Sequence, residues 1–88
     1  AYNLDVNLYV NEKMVYSSND YIRFDIYIDD ELYAIEDSDF CQQLPYGTKY
    51  EITNITIKTG YKYDGMQKGS LIGTVGINGT EVVIKISS

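Results

Sequence analysis

The strongest constraint in this chain is a two-residue rhythm. Leu4, Val6, Leu8 and Val10 alternate with Asn3, Asp5, Asn7 and Tyr9, and Ile22, Phe24, Ile26 and Ile28 alternate with Tyr21, Arg23, Asp25 and Tyr27. A β-strand sends successive side chains to opposite faces, so each segment predicts a strand with one face in the core and the other toward solvent. Asp5 and Asp25 sit inside these strands, where acidic residues are depleted, and are expected to face solvent or a cation.

Polar turns follow both segments. Asn11-Glu12-Lys13 leads into Met14 to Tyr16, and Asp29-Asp30-Glu31 leads into Leu32 to Ala34, so each segment with its apolar return reads as a hairpin. The shared pattern is hairpin chemistry, too sparse in matches to be an internal repeat. Residues 35–44 break the rhythm. Asp37, Ser38 and Asp39 are N-cap candidates, Gln42 lies three after Asp39, and Phe40 and Leu44 are four apart, which predicts one short helix near 38–44 that Pro45 ends.

Pro45-Tyr46-Gly47 turns into a strand from Thr48 to Thr59. It alternates at Tyr50 and Ile52 and resumes out of phase at Ile55 and Ile57, which predicts a β-bulge near Thr53-Asn54. Gly60 to Gly69 reads as a loop or an edge. Leu71 to Ile77 and Glu81 to Ile86 flank Asn78-Gly79, a pair suited to a tight hairpin turn.

With Phe40, Leu44, Ile52, Ile55, Ile57, Leu71, Val75, Val82, Ile84 and Ile86, the apolar positions of the two leading strands make eighteen core candidates. Six or seven short strands separated by turns favour an all-β fold. A small two-layer β-sandwich, immunoglobulin-like, is expected over an open sheet with a wet apolar face; a β-grasp, with the helix across one sheet, is the alternative. Eighty-eight residues suit one β-rich domain, 1–88, and the start at Ala1 fits a domain excised from a larger protein.

Several function classes fall away on chemistry. Seven basic against thirteen acidic residues give a net charge of -6, which repels phosphate backbones, so nucleic acid is not an expected partner. The longest aliphatic run, Val82-Val83-Ile84, is far short of a spanning helix, so no membrane insertion is expected. The absence of histidine removes the commonest general base and metal ligand, and no catalytic residue, cofactor or enzyme activity is expected. The carboxylates would permit a two-acid glycosidase mechanism, but so small a chain has little room for the cleft. Acids at Asp29, Asp30 and Glu31 and at Glu36, Asp37 and Asp39 lack calcium-loop spacing, so turn and cap roles are expected and no metal site. The single Cys41 excludes a disulfide scaffold and reads as a buried structural thiol.

Ten tyrosines without a tryptophan suit half-buried strand positions, where the ring packs and the hydroxyl stays wet. The sharper candidate is a ligand-binding platform of Tyr9 and Tyr27, outward-facing rings on the polar faces of neighbouring strands that would stack on sugars or on a partner protein. The sequons Asn54-Ile55-Thr56 and Asn78-Gly79-Thr80 are short and read as incidental.

Leu4-Asp5-Val6, Phe24-Asp25-Ile26-Tyr27-Ile28, Asp39-Phe40, the stretch Pro45-Tyr46-Gly47-Thr48 through Tyr50-Glu51-Ile52 to Ile55, Gly60-Tyr61-Lys62-Tyr63-Asp64-Gly65 and Gly73-Thr74-Val75-Gly76 run in order along most of the chain. On these residues it resembles the β-rich repeat modules of secreted and cell-surface proteins of Gram-positive gut bacteria. It departs from them at Asp30-Glu31, where such modules often carry glycine, and at Cys41. The resemblance implies a shared fold and an extracellular or cell-surface location, with no functional residues to carry over. The expected function is a non-catalytic accessory module, monomeric in isolation, that spaces or anchors a larger protein or is carbohydrate-binding toward cell-wall or host glycan. The alternative is a protein-interaction module that meets a surface protein by a strand edge or a tyrosine-rich face.

Overall fold

The alternating segments are strands in the computed structural model, which describes residues 2–15, 21–36 and 40–88. They are β1 (Tyr2–Val10) and β3 (Ile22–Ile28), returned by β2 (Lys13–Val15) and β4 (Glu31–Glu36). Both hairpins close through two residues with positive φ: Asn11 (48°) and Glu12 (68°) in the first, Asp29 (51°) and Asp30 (69°) in the second. This is the type I′ geometry, whose twist matches that of the paired strands. Asn and Asp enter it more readily than most side chains, and Asp30 stands where glycine would carry no steric cost.

The short helix expected near 38–44 is corrected: Phe40–Leu44 is strand β5, paired antiparallel with Tyr2–Val6 of β1, while residues 38 and 39 lie outside the described residues. The reason is an ambiguity in the spacing. Phe40 and Leu44 are four apart, which is one helical turn but also two strand repeats, and the open edge of β1 decides between them. A helix over 38–44 would also be so short that its costly nucleus has little propagation to offset it. With no helix among the described residues, the β-grasp alternative falls as well.

β6 (Lys49–Ile57) carries the expected bulge. Its pairing with β3 shifts between Arg23 and Asp25, and Asn54 there has a φ of 54°. The segment left open as loop or edge is an edge strand, β7 (Lys62–Lys68). β8 (Ile72–Thr74) and β9 (Thr80–Ser87) follow, but not as a hairpin. β8 pairs with β6, whereas β9 pairs with β1 and β7, so the Asn78-Gly79 segment passes the chain from one sheet to the other. A turn does form, with the Gly79 N–H donating to Gly76 O at 3.0 Å. The expectation failed because Gly79 serves a second purpose: a Cβ there would lie 3.1 Å from Asn3 O, so the missing side chain lets the turn close onto β1.

Two sheets pack as a small β-sandwich. One has the order β2-β1-β9-β7, with β5 sharing the outer edge of β1; the other has the order β4-β3-β6-β8. Leu4, Val6, Leu8, Val10, Val82, Ile84 and Ile86 from the first meet Ile22, Phe24, Ile26, Tyr50 and Ile52 from the second, joined by Leu44 and Val75. Ile28, Ile55, Ile57 and Leu71 pack at the margin. Tyr50 was not among the core candidates, yet only 2% of it is exposed. Its ring covers Gly73, its partner on β8, where a Cβ would come within 3.0 Å of the phenol oxygen, and its hydroxyl donates to Ser70 O at 3.0 Å. Burial pushes the Tyr50 phenol above its ordinary pKa.

Candidate functional site

Tyr9 and Tyr27 both face outward and are half-buried, as alternation requires, but their strands are not neighbours. Tyr9 lies on β1 of the five-stranded sheet and Tyr27 on β3 of the four-stranded sheet. The outer faces of a sandwich point away from each other, so the two rings do not share one platform. Some of the other tyrosines pack against one another. Tyr2 meets Tyr46 edge-on at 6.3 Å, Tyr21 meets Tyr61 edge-on at 5.2 Å, and Lys58 Nζ lies 5.9 Å from the Tyr21 ring.

The turn acids serve the backbone. Asp29 donates its N–H to Lys49 O at 2.9 Å and accepts the Lys49 N–H on Oδ1 at 3.1 Å, while Lys49 Nζ reaches Asp30 Oδ1 at 3.1 Å. That last pair is exposed and worth little in water. Asn54 Nδ2 donates to Asp25 Oδ2 at 2.8 Å, which gives the interior Asp25 an amide partner at the bulge instead of a cation. Asp37 and Asp39 lie outside the described residues, and among the described residues no three of His, Cys, Asp and Glu are grouped to hold a metal ion. Cys41 is exposed on β5, opposite Asp5, and so is not the buried thiol expected; the helix that would have carried it inward does not form.

A depression of about 320 Å³ is lined by Asn11, Glu12, Asp64, Lys85, Ile86 and Ser87. Three of its polar side chains are engaged with one another or with the chain end: Ser87 Oγ donates to Asp64 Oδ2 at 2.7 Å, and the Ser88 N–H donates to Asn11 Oδ1 at 2.9 Å. It is open and half polar, unlike the enclosed, mostly apolar cavities that hold small ligands.

Pairing assembles one feature that no single segment contains. On the outer face of the four-stranded sheet, Leu32, Tyr27, Glu51 and Ile72 stand in a row across all four strands. Leu32 is 52% exposed and Ile72 59%. The other sheet turns polar groups outward, with Asn7 Nδ2 donating to Glu81 Oε2 at 3.5 Å and Lys68 Nζ at 3.0 Å from Glu81 Oε1.

The second assembled feature is the spine of the five-stranded sheet. β1 and β9 are the first and last strands, and they run parallel, side by side, from Leu4↔Thr80 to Val10↔Ile86 without a shift in register. A nine-residue strand spans roughly 27 Å. That exceeds the 23 Å second axis of the molecule, so the strands follow its 36 Å long axis. Tyr2 and Ser87 therefore stand at opposite poles.

No protein-family profile, curated protein or solved structure matches this chain.

The reading of function therefore rests on the molecule's own geometry. Sequence reasoning missed both assembled features. The outer row needs the β3–β4 and β6–β8 registers, and the spine joins residues at the two ends of the chain, so neither leaves a local signal.

Proposed function

We propose that this chain is a non-catalytic accessory module that holds neighbouring parts of a larger surface protein apart. One observation carries the reading: the parallel pairing of β1 with β9 brings the chain in at one pole and takes it out at the other. Had the terminal strands been antiparallel neighbours, both ends would share a pole and a linked array would fold back. Here each copy adds its long axis to the array. An extracellular or cell-surface location, and origin in a larger protein, are supported by the resemblance to secreted bacterial modules in the turn and core residues named above.

Two copies fused head to tail and measured by small-angle X-ray scattering test the reading. The maximum dimension is expected to exceed that of one copy by roughly the 36 Å long axis. A fused pair hardly longer than one copy would sink it.

A second reading has its own observation, the outer row in which exposed Leu32, on edge strand β4, and exposed Ile72 flank half-buried Tyr27 and Glu51. Aromatic and aliphatic side chains on an open sheet face suit a protein partner, as does a strand edge open to β-addition. A partner that binds the native chain and is lost on Leu32→Glu with Ile72→Lys would favour it; unchanged binding would remove it.

A further inference from the structure

We propose that the module bears load: a pull on its two ends is resisted in shear along the whole β1·β9 ladder. The proposal rests on the spacer reading, since only an array pulled from both ends would use it. β1 would be drawn toward the pole of Tyr2 and β9 toward the pole of Ser87, so the two strands would slide past each other.

Three features oppose that sliding. The first is the ladder itself. Its seven aligned pairs, Leu4↔Thr80 to Val10↔Ile86, lie across the pull, and the evenly spaced bonds of a parallel pair must fail together instead of one at a time. The second is the pleat. A slip of one residue would turn Asp5, Asn7 and Tyr9 into the core in place of Leu4, Val6 and Leu8, so the shortest slip that keeps apolar groups inside is two residues, about 6.6 Å. The third is position. Both strands are interior to the sheet, β1 held on its other side by β5 and β2 and β9 by β7, so neither leaves without breaking a second ladder.

The C-terminal end of the spine is also latched. The Asn11 N–H donates to Ile86 O at 3.2 Å, and Asn11 Oδ1 accepts from the Ser88 N–H at 2.9 Å and from Ser88 Oγ at 3.4 Å. These bonds sit where a pull on the chain end first reaches β9.

Single-molecule force spectroscopy on the full chain tests this by changing only the direction of pull. In one arrangement handles are attached to the two chain ends. In the other they are attached to the chain start and to a cysteine introduced by Tyr46→Cys in a Cys41→Ser background. Residue 46 follows β5 at the pole where Leu44 pairs with Tyr2, so this second pull peels β1 from that pole pair by pair. Both arrangements use the same Tyr46→Cys, Cys41→Ser chain, so the loss of the Tyr2–Tyr46 contact is common to them, and the end-to-end pull is expected to need a several-fold higher unfolding force. Asn11→Gly, which keeps the positive φ and removes the carboxamide, is expected to lower the end-to-end force and leave the peeling force unchanged.

Equal forces in the two directions, or a higher force for peeling, would overturn the proposal, as would an end-to-end force indifferent to Asn11→Gly. The two readings fail separately. A head-to-tail pair that folds back defeats the spacer, whereas equal forces in a fully extended pair defeat the load-bearing role alone.

Discussion

β9 has two neighbours, and they hold it in different ways. On one side β1 runs parallel through seven aligned pairs with no shift. On the other β7 runs antiparallel and slips twice, between Tyr63 and Met66 and between Met66 and Lys68, around Gly65 with its φ of 101°. The parallel ladder joins the two ends of the chain and supplies much of the core, whereas the bulged one closes an edge. Bulges and lysines at 62 and 68 suit an edge strand that must not template another chain. The lesson is that the least local pairing among the described residues is also the longest without a shift, and stability should concentrate there.

The largest expected effect comes from emptying the spine. Leu8→Ala or Ile84→Ala, each in a fully buried side chain, should cost about 2–5 kcal/mol in urea unfolding. Tyr63→Ala on β7, where the ring is 46% exposed, should stay within about 0.5 kcal/mol. Equal costs on the two sides of β9 would break the comparison.

A smaller effect is expected just past the end of β7, where the chain closes on β9. Gly69 has a φ of 72°, and a Cβ there would stand 2.7 Å from the Glu81 backbone oxygen. Gly69→Ala should therefore cost about 1–3 kcal/mol. Gly65→Ala, at positive φ but with nothing within 4 Å of the new carbon, should cost less. The difference, read from the same urea curves, separates steric contact with β9 from backbone strain alone.

The other sheet sharpens the contrast through pH. Burial holds the Tyr50 pKa above its unfolded value, so the folded state keeps the phenolic proton more tightly. That contribution to stability is complete below the unfolded pKa of about 10 and is lost as pH rises through the folded value. Thermal melts should fall above that point, and Tyr50→Phe should flatten the fall while losing the bond to Ser70 O. A melt as pH-sensitive after the substitution as before would contradict the role given to this group.

The smallest effect belongs to the type I′ turn after β1. Glu12 holds a φ of 68° without the local hydrogen bonding open to Asn or Asp, so Glu12→Gly should raise stability by a few tenths to about 1 kcal/mol. A loss of stability there would show that Glu12 makes a contact worth more than its strain.

Much of this fold was legible as alternation. β1, β3 and β6 follow the two-residue rhythm, the break at Thr53-Asn54 is a real bulge, and both polar turns close hairpins. Four features were not legible, each for a physical reason. Phe40 and Leu44 fit both periods, so only the presence of β1 makes them strand. Asn78-Gly79 was read as a hairpin because the same residues that permit a tight turn also permit close approach to Asn3. The facing of Tyr9 and Tyr27 was correct, but period two tells which side of a strand a residue takes and not which sheet the strand joins. The spine between β1 and β9 joins segments at the two ends of the chain, and nothing in either segment names the other.

That spine is the central claim, and solution NMR tests it most directly. Cross-strand nuclear Overhauser contacts should link Leu4 with Thr80, Val6 with Val82, Leu8 with Ile84 and Val10 with Ile86, rising together along both strands. Contacts that instead rise along β1 while falling along β9, or that are missing between the two strands, would contradict the account.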